Sequence, residues 1–368
     1  MISFTHTSQE FRNDRSLFGK IVPWVMLPWA TLSGAPAVSE PAATIDVWYG
    51  ERQRIGHLGT AQEDFNLLGH IDAWRELDSL DWSLNERAPI PLNFRAYRRL
   101  AAEGDFNADI PLGRLRIGDN SLKLTARWRD GRTASRTVTI IREQGSTPLP
   151  CSIRWAAVSN PQDVGQIVDG LWRVTPDGLR TSITGYDRIF LIGESNWRDY
   201  DVRTSIQVHR EPDLSLGPGV GLIARFTGHV VGGPKHFPSG QPKWGYQPFG
   251  TIAWIRWSKQ TSPSSPQAQY FPGSEGRPTD LKPVPFMVAT RYDLRVTCKT
   301  LPDDAEGRGV THYRFKIWPA DSTEPEAWTW ERTQTSATAL RSGGVGLLAH
   351  HIDVTFGDVT VLPVSSEP

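Results

Sequence analysis

Between Ser121 and Arg142 the chain spells out a β-hairpin. In SLKLTARW, Leu122, Leu124, Ala126 and Trp128 alternate with Lys123, Thr125 and Arg127. That period of two is the signature of a half-buried strand. The Asp130-Gly131 pair, favoured in type I′ turns, follows, and TASRTVTIIR (Thr133–Arg142) supplies the partner strand. Upstream, TIDVWYG (Thr44–Gly50), EDFNLLGHIDAW (Glu63–Trp74), LDWSLN (Leu80–Asn85) and IPLNF (Ile90–Phe94) are short strand-like runs between turn signals. About seven strands in about 100 residues, with no helical period, describe a small β-sandwich.

Composition supports this throughout the chain. Of the 368 residues, 33 are Gly, 28 are Pro and 15 are Trp. Turn formers and large flat aromatics in excess suit an all-β protein with short strands. Lys plus Arg and Asp plus Glu both number 40, so the formal net charge is +0. That balance argues against nucleic acid or an anionic membrane held by bulk charge. No apolar run reaches the roughly 18–20 residues of a membrane span. Cys151 and Cys298, the only two cysteines, exclude a disulfide-dense scaffold or a multi-cysteine metal centre. They leave open either one bridge or two buried thiols.

The apolar stretch Ile21–Ala37 ends in small residues, as the core and cleavage zone of a secretory signal do. Residues 1–42 are therefore set aside as a leader, and a secreted or periplasmic location is expected. The polar, proline-punctuated Glu143–Pro150 reads as a linker between a sandwich at 43–142 and a second unit at 151–368.

The segment GRLRIGDNSLKLTARWRDGRTASRTVTI resembles the last strands of bacterial immunoglobulin-like accessory domains. That resemblance implies a fold and no catalytic residues. The second unit resembles the concanavalin A-like (LamG-type) jelly-roll superfamily, which includes lectins and glycan-active enzymes. The matching stretches are D-G-L-W-x-V at Asp169–Val174, W-x-D-Y-D-V at Trp197–Val202 and G-V-G-L-I-A-R-F at Gly219–Phe226, with a terminal G-x-V-G-L…F-x-x-V-x-V pattern over Gly343–Val361. The expected fold is all-β, an immunoglobulin-like sandwich followed by a concanavalin A-like jelly roll.

Two long irregular segments stand out. Val230–Gly250 concentrates Lys235, His236, Phe237, Lys243, Trp244, Tyr246 and Phe249, and Ser258–Phe286 is rich in Ser and Pro. Loops of that length are usually functional or disordered. Beside them, alternation puts Arg225, Thr227 and His229 on one side of a strand and Trp254 and Arg256 on one side of another. Arg314, Lys316 and Trp318 share a side of a third, and His350 faces away from Ala349. The resemblance implies that glycans lie across one sheet of the jelly roll. Aromatic faces stack on sugar rings, while Arg and His donate to hydroxyls or carboxylates. The candidate ligand-binding residues are therefore Arg225, His229, Trp244, Tyr246, Trp254, Arg256 and His350. Two arginines favour an anionic carbohydrate polymer.

Catalytic residues cannot be nominated from the sequence. The E-x-D-x-E strand of laminarinase-like glycosidases is missing, and its nearest match, EPDLS (Glu211–Ser215), lacks the last glutamate. Glu194, Asp199, Asp201 and Glu275 are candidates only by default. A lyase could draw on Arg225, His229, Tyr246 and Arg256. No metal-ligand spacing occurs, although Asp353 and Asp358 could hold a structural calcium ion, as related jelly rolls do. The leading expectation is carbohydrate recognition by the jelly roll. The alternatives are a polysaccharide-degrading hydrolase or lyase using the same groove, and a surface adhesion or protein-interaction module.

Overall fold

The computed structural model describes residues 44–231, 241–257, 266–273 and 277–364. The leader 1–42 and the singled-out Lys235, His236, Phe237 and Glu275 lie outside them. Residues 43–368 form one compact unit; its described residues are all-β, in four sheets. Among the described residues, no strand of 45–142 pairs with one of 151–363.

In the first part, strands Ile45–Val47, Asp64–Ile71 and Asp105–Pro111 make a three-stranded sheet. It faces a five-stranded sheet containing Leu77–Leu84, Gly118–Trp128 and Thr133–Arg142. The alternation read in SLKLTARW holds, because Leu122, Leu124, Ala126 and Trp128 are all buried against Trp82, Val138 and Ile140. Only Gly131 of the hairpin turn takes a positive φ, 88°, and its N–H closes on the Trp128 carbonyl at 3.0 Å. The turn is thus not type I′, which needs left-handed geometry at both central residues. Two strands escaped the sequence pattern. Arg52–Ile55 pairs in parallel with Thr133–Arg142, and Asp105–Pro111 alternates carboxamides and carboxylates with apolar residues.

The second part packs a seven-stranded sheet on a nine-stranded one. The seven-stranded order is Gln166–Asp169, Arg188–Ile192, Gly344–His350, Gly219–Phe226, Thr251–Arg256, Gln267–Pro272 and Thr279–Pro283. The last two strands lie in the segment read from sequence as a structureless loop. Their prolines sit at strand ends near the sheet edge, where a missing N–H costs no ladder bond. Val220, Leu222, Ala224, Ile255 and Leu347 pack between the sheets against Val202, Ile206, Leu294, Val296 and Phe315. Every residue of Gly219–Phe226 and Gly344–His350 is buried, which explains why these strands read as continuous apolar runs rather than alternating ones. The nine-stranded sheet turns one side to solvent, and its strand Tyr200–Val208 does alternate.

The second covering of the seven-stranded sheet comes from the first part of the chain, through a buried polar junction. Asp169, fully buried, accepts on Oδ1 from Arg99 Nε at 2.6 Å and Asn107 Nδ2 at 3.1 Å, while His229 Nε2 lies 2.9 Å from Oδ2. Arg99 also reaches Asp109 at 3.1 Å, and Lys243 Nζ pairs with Asp64 at 2.6 Å. Burial alone would raise the Asp169 carboxyl, but the Arg99 guanidinium, with His229 and Arg188, holds it below the ordinary carboxylate value. Nearby, the Tyr49 hydroxyl donates to Gly170 O at 2.9 Å and accepts from the Trp172 N–H at 2.7 Å. Residues 143–150 are held from both sides: Glu194 accepts from Thr147 N at 2.7 Å, and Thr147 Oγ1 donates to Leu58 O at 2.9 Å.

Removing one partner of a buried ion pair leaves the other uncompensated, so Asp169→Ala should cost about 3–5 kcal/mol in urea unfolding. The depressed carboxyl contributes stability that is full above the ordinary carboxylate pKa and lost as pH falls through its folded value. The mutant's acid-limb dependence should therefore be shallower than the wild type's. Identical unfolding midpoints and acid limbs would show that this carboxylate carries no stability.

Candidate functional site

Where the first part stops covering the seven-stranded sheet, a cleft of about 830 Å³ opens on that face. Its floor is Ile252, Trp254 and Arg256, alternate residues of one strand, with His350 two strands away. Trp244, Tyr246 and Phe249 from segment 241–250 form one wall. Tyr186 and Asp187, just before strand Arg188–Ile192, form another. Tyr97 and Arg98 arrive from the first part of the chain.

Local sequence explains the floor. Trp254 pairs with Gly221, and a Cβ placed on Gly219 would come within 2.8 Å of the Trp254 ring. The G-V-G start of that strand therefore leaves the space in which the indole lies. The Arg256 guanidinium sits 4.8 Å from the Trp254 ring, and Nε donates to Gly217 O at 3.3 Å. Burial pushes the Arg256 guanidinium below its ordinary value, with Asp187 opposing.

The walls are held by two arginines that are themselves hidden. Tyr97 and Leu100 exchange backbone hydrogen bonds at 3.0 and 3.1 Å, closing a turn with Arg98 and Arg99 at its corners. Arg99 points down into the Asp169 junction, and Arg98 is left exposed over the cleft. Arg188, fully buried, donates to Arg99 O at 2.7 Å and Tyr186 O at 2.6 Å, tying two cleft walls together. Arg98, Asp187 and His351 line the cleft with φ of 47°, 44° and 52°. Such left-handed geometry costs about 1–2 kcal/mol for a non-glycine residue and tends to concentrate at functional sites.

The chemistry on offer is aromatic, cationic and hydrogen-bonding. His350 Nδ1 lies 2.7 Å from Asp187 Oδ1, so the imidazole donates there. Its Nε2 has no bond to a described residue and is not among the enclosed unsatisfied atoms, so it opens to the cleft. Trp254 Nε1 and Tyr246 Oη are enclosed, with no hydrogen-bond partner among the described residues. Burial drives the Tyr246 phenol far above its ordinary value and pushes Tyr186 up to about 12, with Asp187 adding to both.

Of the seven residues nominated from sequence, Trp244, Tyr246, Trp254, Arg256 and His350 line the cleft. His229 and Arg225 do not. His229 stands behind Tyr246, with ring centroids 5.3 Å apart, and is spent on Asp169. Strict alternation would put Arg225 beside Ile223 on the cleft face, but the strand bulges between Ala224 and Phe226, and Arg225 adopts φ 54°. Its guanidinium is fully buried, pairing with Asp199 at 3.0 Å and donating to Thr300 Oγ1, Thr311 Oγ1 and Leu340 O. Arg314 and Lys316 belong to the nine-stranded sheet, both within 4.5 Å of the Trp328 ring centroid. Tyr97, Arg98, Tyr186 and Asp187 escaped the sequence reading. The Tyr-Arg-Arg and Tyr-Asp runs were visible signals, but nothing local says that these turns converge.

The default carboxylates also have other work. Glu194 caps Thr147 N, Asp199 binds Arg225 and Thr300 N, and Asp201 pairs with Arg295. Asp353 takes both ends of the Arg180 fork at 2.9 Å, and Asp358 accepts from Trp155 N at 3.0 Å. Among the described residues no group of three or more metal-ligating side chains forms, so the calcium expectation finds no ligand set there. Both cysteines are free thiols, Cys298 fully buried. No described helix is long and apolar enough to cross a membrane.

No protein-family model matches the chain, and no curated protein matches it. Solved structures do. The VIP36 exoplasmic/lumenal domain in its Ca2+/Man2-bound form is 12% identical, covering 59% of this chain and 89% of its own, with a TM-score of 0.36. A xylan β-1,4-xylosidase from Bacillus halodurans is 10% identical over 83% of this chain and 64% of its own, TM-score 0.36. The Bacteroides ovatus glucan-utilisation protein SGBP-B, in complex with a mixed-linkage heptasaccharide, is 11% identical over 88% and 99%, TM-score 0.19. Likenesses this distant carry no argument about the ligand, which rests on the cleft itself.

The placement of Arg225 yields a separable expectation. Arg225→Ala should lower stability by about 1–3 kcal/mol for each buried acceptor it leaves unsatisfied, chiefly the Thr311 hydroxyl and the Leu340 carbonyl. In urea unfolding, a wild-type midpoint would contradict its role as a structural clamp.

Proposed function

We propose that the chain binds carbohydrate in the cleft of the seven-stranded sheet. The observation that carries this reading is the convergence of aromatic rings with cationic and hydrogen-bonding side chains on one open cavity. The half-buried rings of Tyr97 and Tyr186 supply flat apolar surface for sugar-ring faces, while Arg98, Arg256 and His350 line the same cavity and can bond to sugar oxygens. The apolar run at Ile21–Ala37 fits an exported protein that meets such polymers outside the cell.

Affinity electrophoresis of the whole chain through gels containing neutral or acidic polysaccharides tests this. Retardation by at least one polymer is expected. Tyr97→Ala, at a half-buried position on the rim, should weaken it about two- to twelvefold, as loss of one aromatic contact of ~0.5–1.5 kcal/mol implies. Unretarded migration in every gel would overturn the reading.

A second reading, polysaccharide cleavage in the same cleft, is favoured by the Asp187–His350 pair. A carboxylate-oriented imidazole with its second nitrogen open to a cavity is equipped to take a proton. Two-carboxylate hydrolysis is less well supplied, because Asp187 is the one carboxylate among the described lining residues. If the pair works as a base, new chain ends should accumulate in polymer digests, and His350→Ala should abolish them while leaving gel retardation in place. Polymer chains of unchanged length would leave binding alone.

A further inference from the structure

We propose that the cleft selects acidic saccharides, units bearing a carboxylate or a sulfate, and that Arg98 from the first part of the chain is one of two arginines that recognise the anionic group. This rests on the carbohydrate reading above and narrows it to a ligand class.

The charges lining the cleft are unbalanced. Arg98 and Arg256 are both there, and neither has a carboxylate within ion-pair distance among the described residues. Among the described residues the lining holds one carboxylate against these two guanidiniums, Asp187, which takes the His350 imidazole at 2.7 Å and also favours the charged form of Arg256. Arg98 lies 5.5 Å from the Tyr186 ring centroid on the wall, and Arg256 lies over Trp254 on the floor of the same cleft. A guanidinium left unpaired at an aromatic cavity presents its fork to whatever anion enters.

Arg98 is placed rather than dangling. Its guanidinium carbon is 4.2 Å from the Trp244 ring centroid, 5.5 Å from that of Tyr186 and 5.7 Å from that of Tyr97. Stacking against these rings holds it at the cleft while leaving its N–H edges free for an anion. The backbone beneath is pinned by Arg99 in the Asp169 junction and by Arg188, which donates to the carbonyls of Arg99 at 2.7 Å and Arg98 at 3.4 Å. Arg256 is held likewise, over Trp254 and bonded to Gly217 O. Two preorganised cations on separate elements of one cleft suit a charged sugar better than a neutral one. On this view the first part of the chain completes the site.

The test compares whole-chain binding to polygalacturonate (carboxylate only), dextran sulfate (sulfate only) and unmodified dextran and xylan, by affinity electrophoresis and by fluorescence titration. The variants are Arg98→Gln, Arg98→Glu and Arg256→Gln. Arg98 is exposed, so its variants should stay folded, losing no more than about 1 kcal/mol of cation–π stacking in urea unfolding. The expected result is binding to one or both acidic polymers, weakened about tenfold by Arg98→Gln and further by Arg98→Glu, and falling with added salt. The carboxylate and sulfate arms then identify the anion. Retardation by sulfate alone that persists in Arg98→Gln and Arg256→Gln would indicate nonspecific polyanion capture and overturn the inference. Equal retardation by neutral polymers, unaffected by both substitutions, would overturn it while sparing carbohydrate binding. Binding to none of the polymers would overturn both.

Discussion

A single buried carboxylate organises this molecule. Asp169 has no exposed surface and ends the first strand of the seven-stranded sheet, so its charge must be met from within the protein. Arg99, Asn107 and His229 meet it, and the first two come from the other part of the chain. Arg99 is in turn shared with Asp109, and Lys243 reaches across to Asp64. A network of this kind is costly to leave half-satisfied, so it tolerates one relative placement of the participating elements. The turn carrying Arg98 and the segment carrying Trp244 both hang from it. The cleft is therefore built outward from a buried ion cluster.

The seven-stranded sheet is the second determinant. Its inner face packs on the nine-stranded sheet, and its outer face is covered at one end by the first part of the chain. Near that cover, Ile189, Leu191, Ile223 and Phe226 fill the outer face. Further along the sheet, the glycines of G-V-G leave room for Trp254, and the aromatic surface meets the cavity. Placing the cleft beside a rigid polar junction has a physical advantage. Strained turns such as those at Arg98 and Asp187 persist only where their surroundings over-determine them. The Arg188 clamp, bonded to carbonyls of both walls, supplies that restraint.

How much of this was written locally can be judged from individual residues. SLKLTARW declared its own burial pattern because one face meets the core and the other meets water. Trp254 and Arg256, two apart in one strand, had to share a face, and both line the cleft. Arg225 broke the same rule because a single bulged residue reverses the alternation, and bulges leave no period in the sequence. His229 was recognisable as unusual but not as structural, since its partner Asp169 stands 60 positions away. The strands Gln267–Pro272 and Thr279–Pro283 were obscured by their prolines, which edge positions tolerate.

The sequence by itself determined the class of fold, through period-two patterning, turn chemistry and an aromatic-rich composition. It also determined which aromatic and basic residues were available to a site. These are properties of neighbours along the chain, set by the two-residue repeat of a strand and the torsional limits of Gly and Pro. Only the tertiary structure decided that Arg98 faces the same cavity as Trp254, that Arg225 turns inward, and that Asp169 holds two parts of the chain together. Those outcomes depend on which distant groups can satisfy a buried charge, and that is settled by packing in three dimensions rather than by spacing in one.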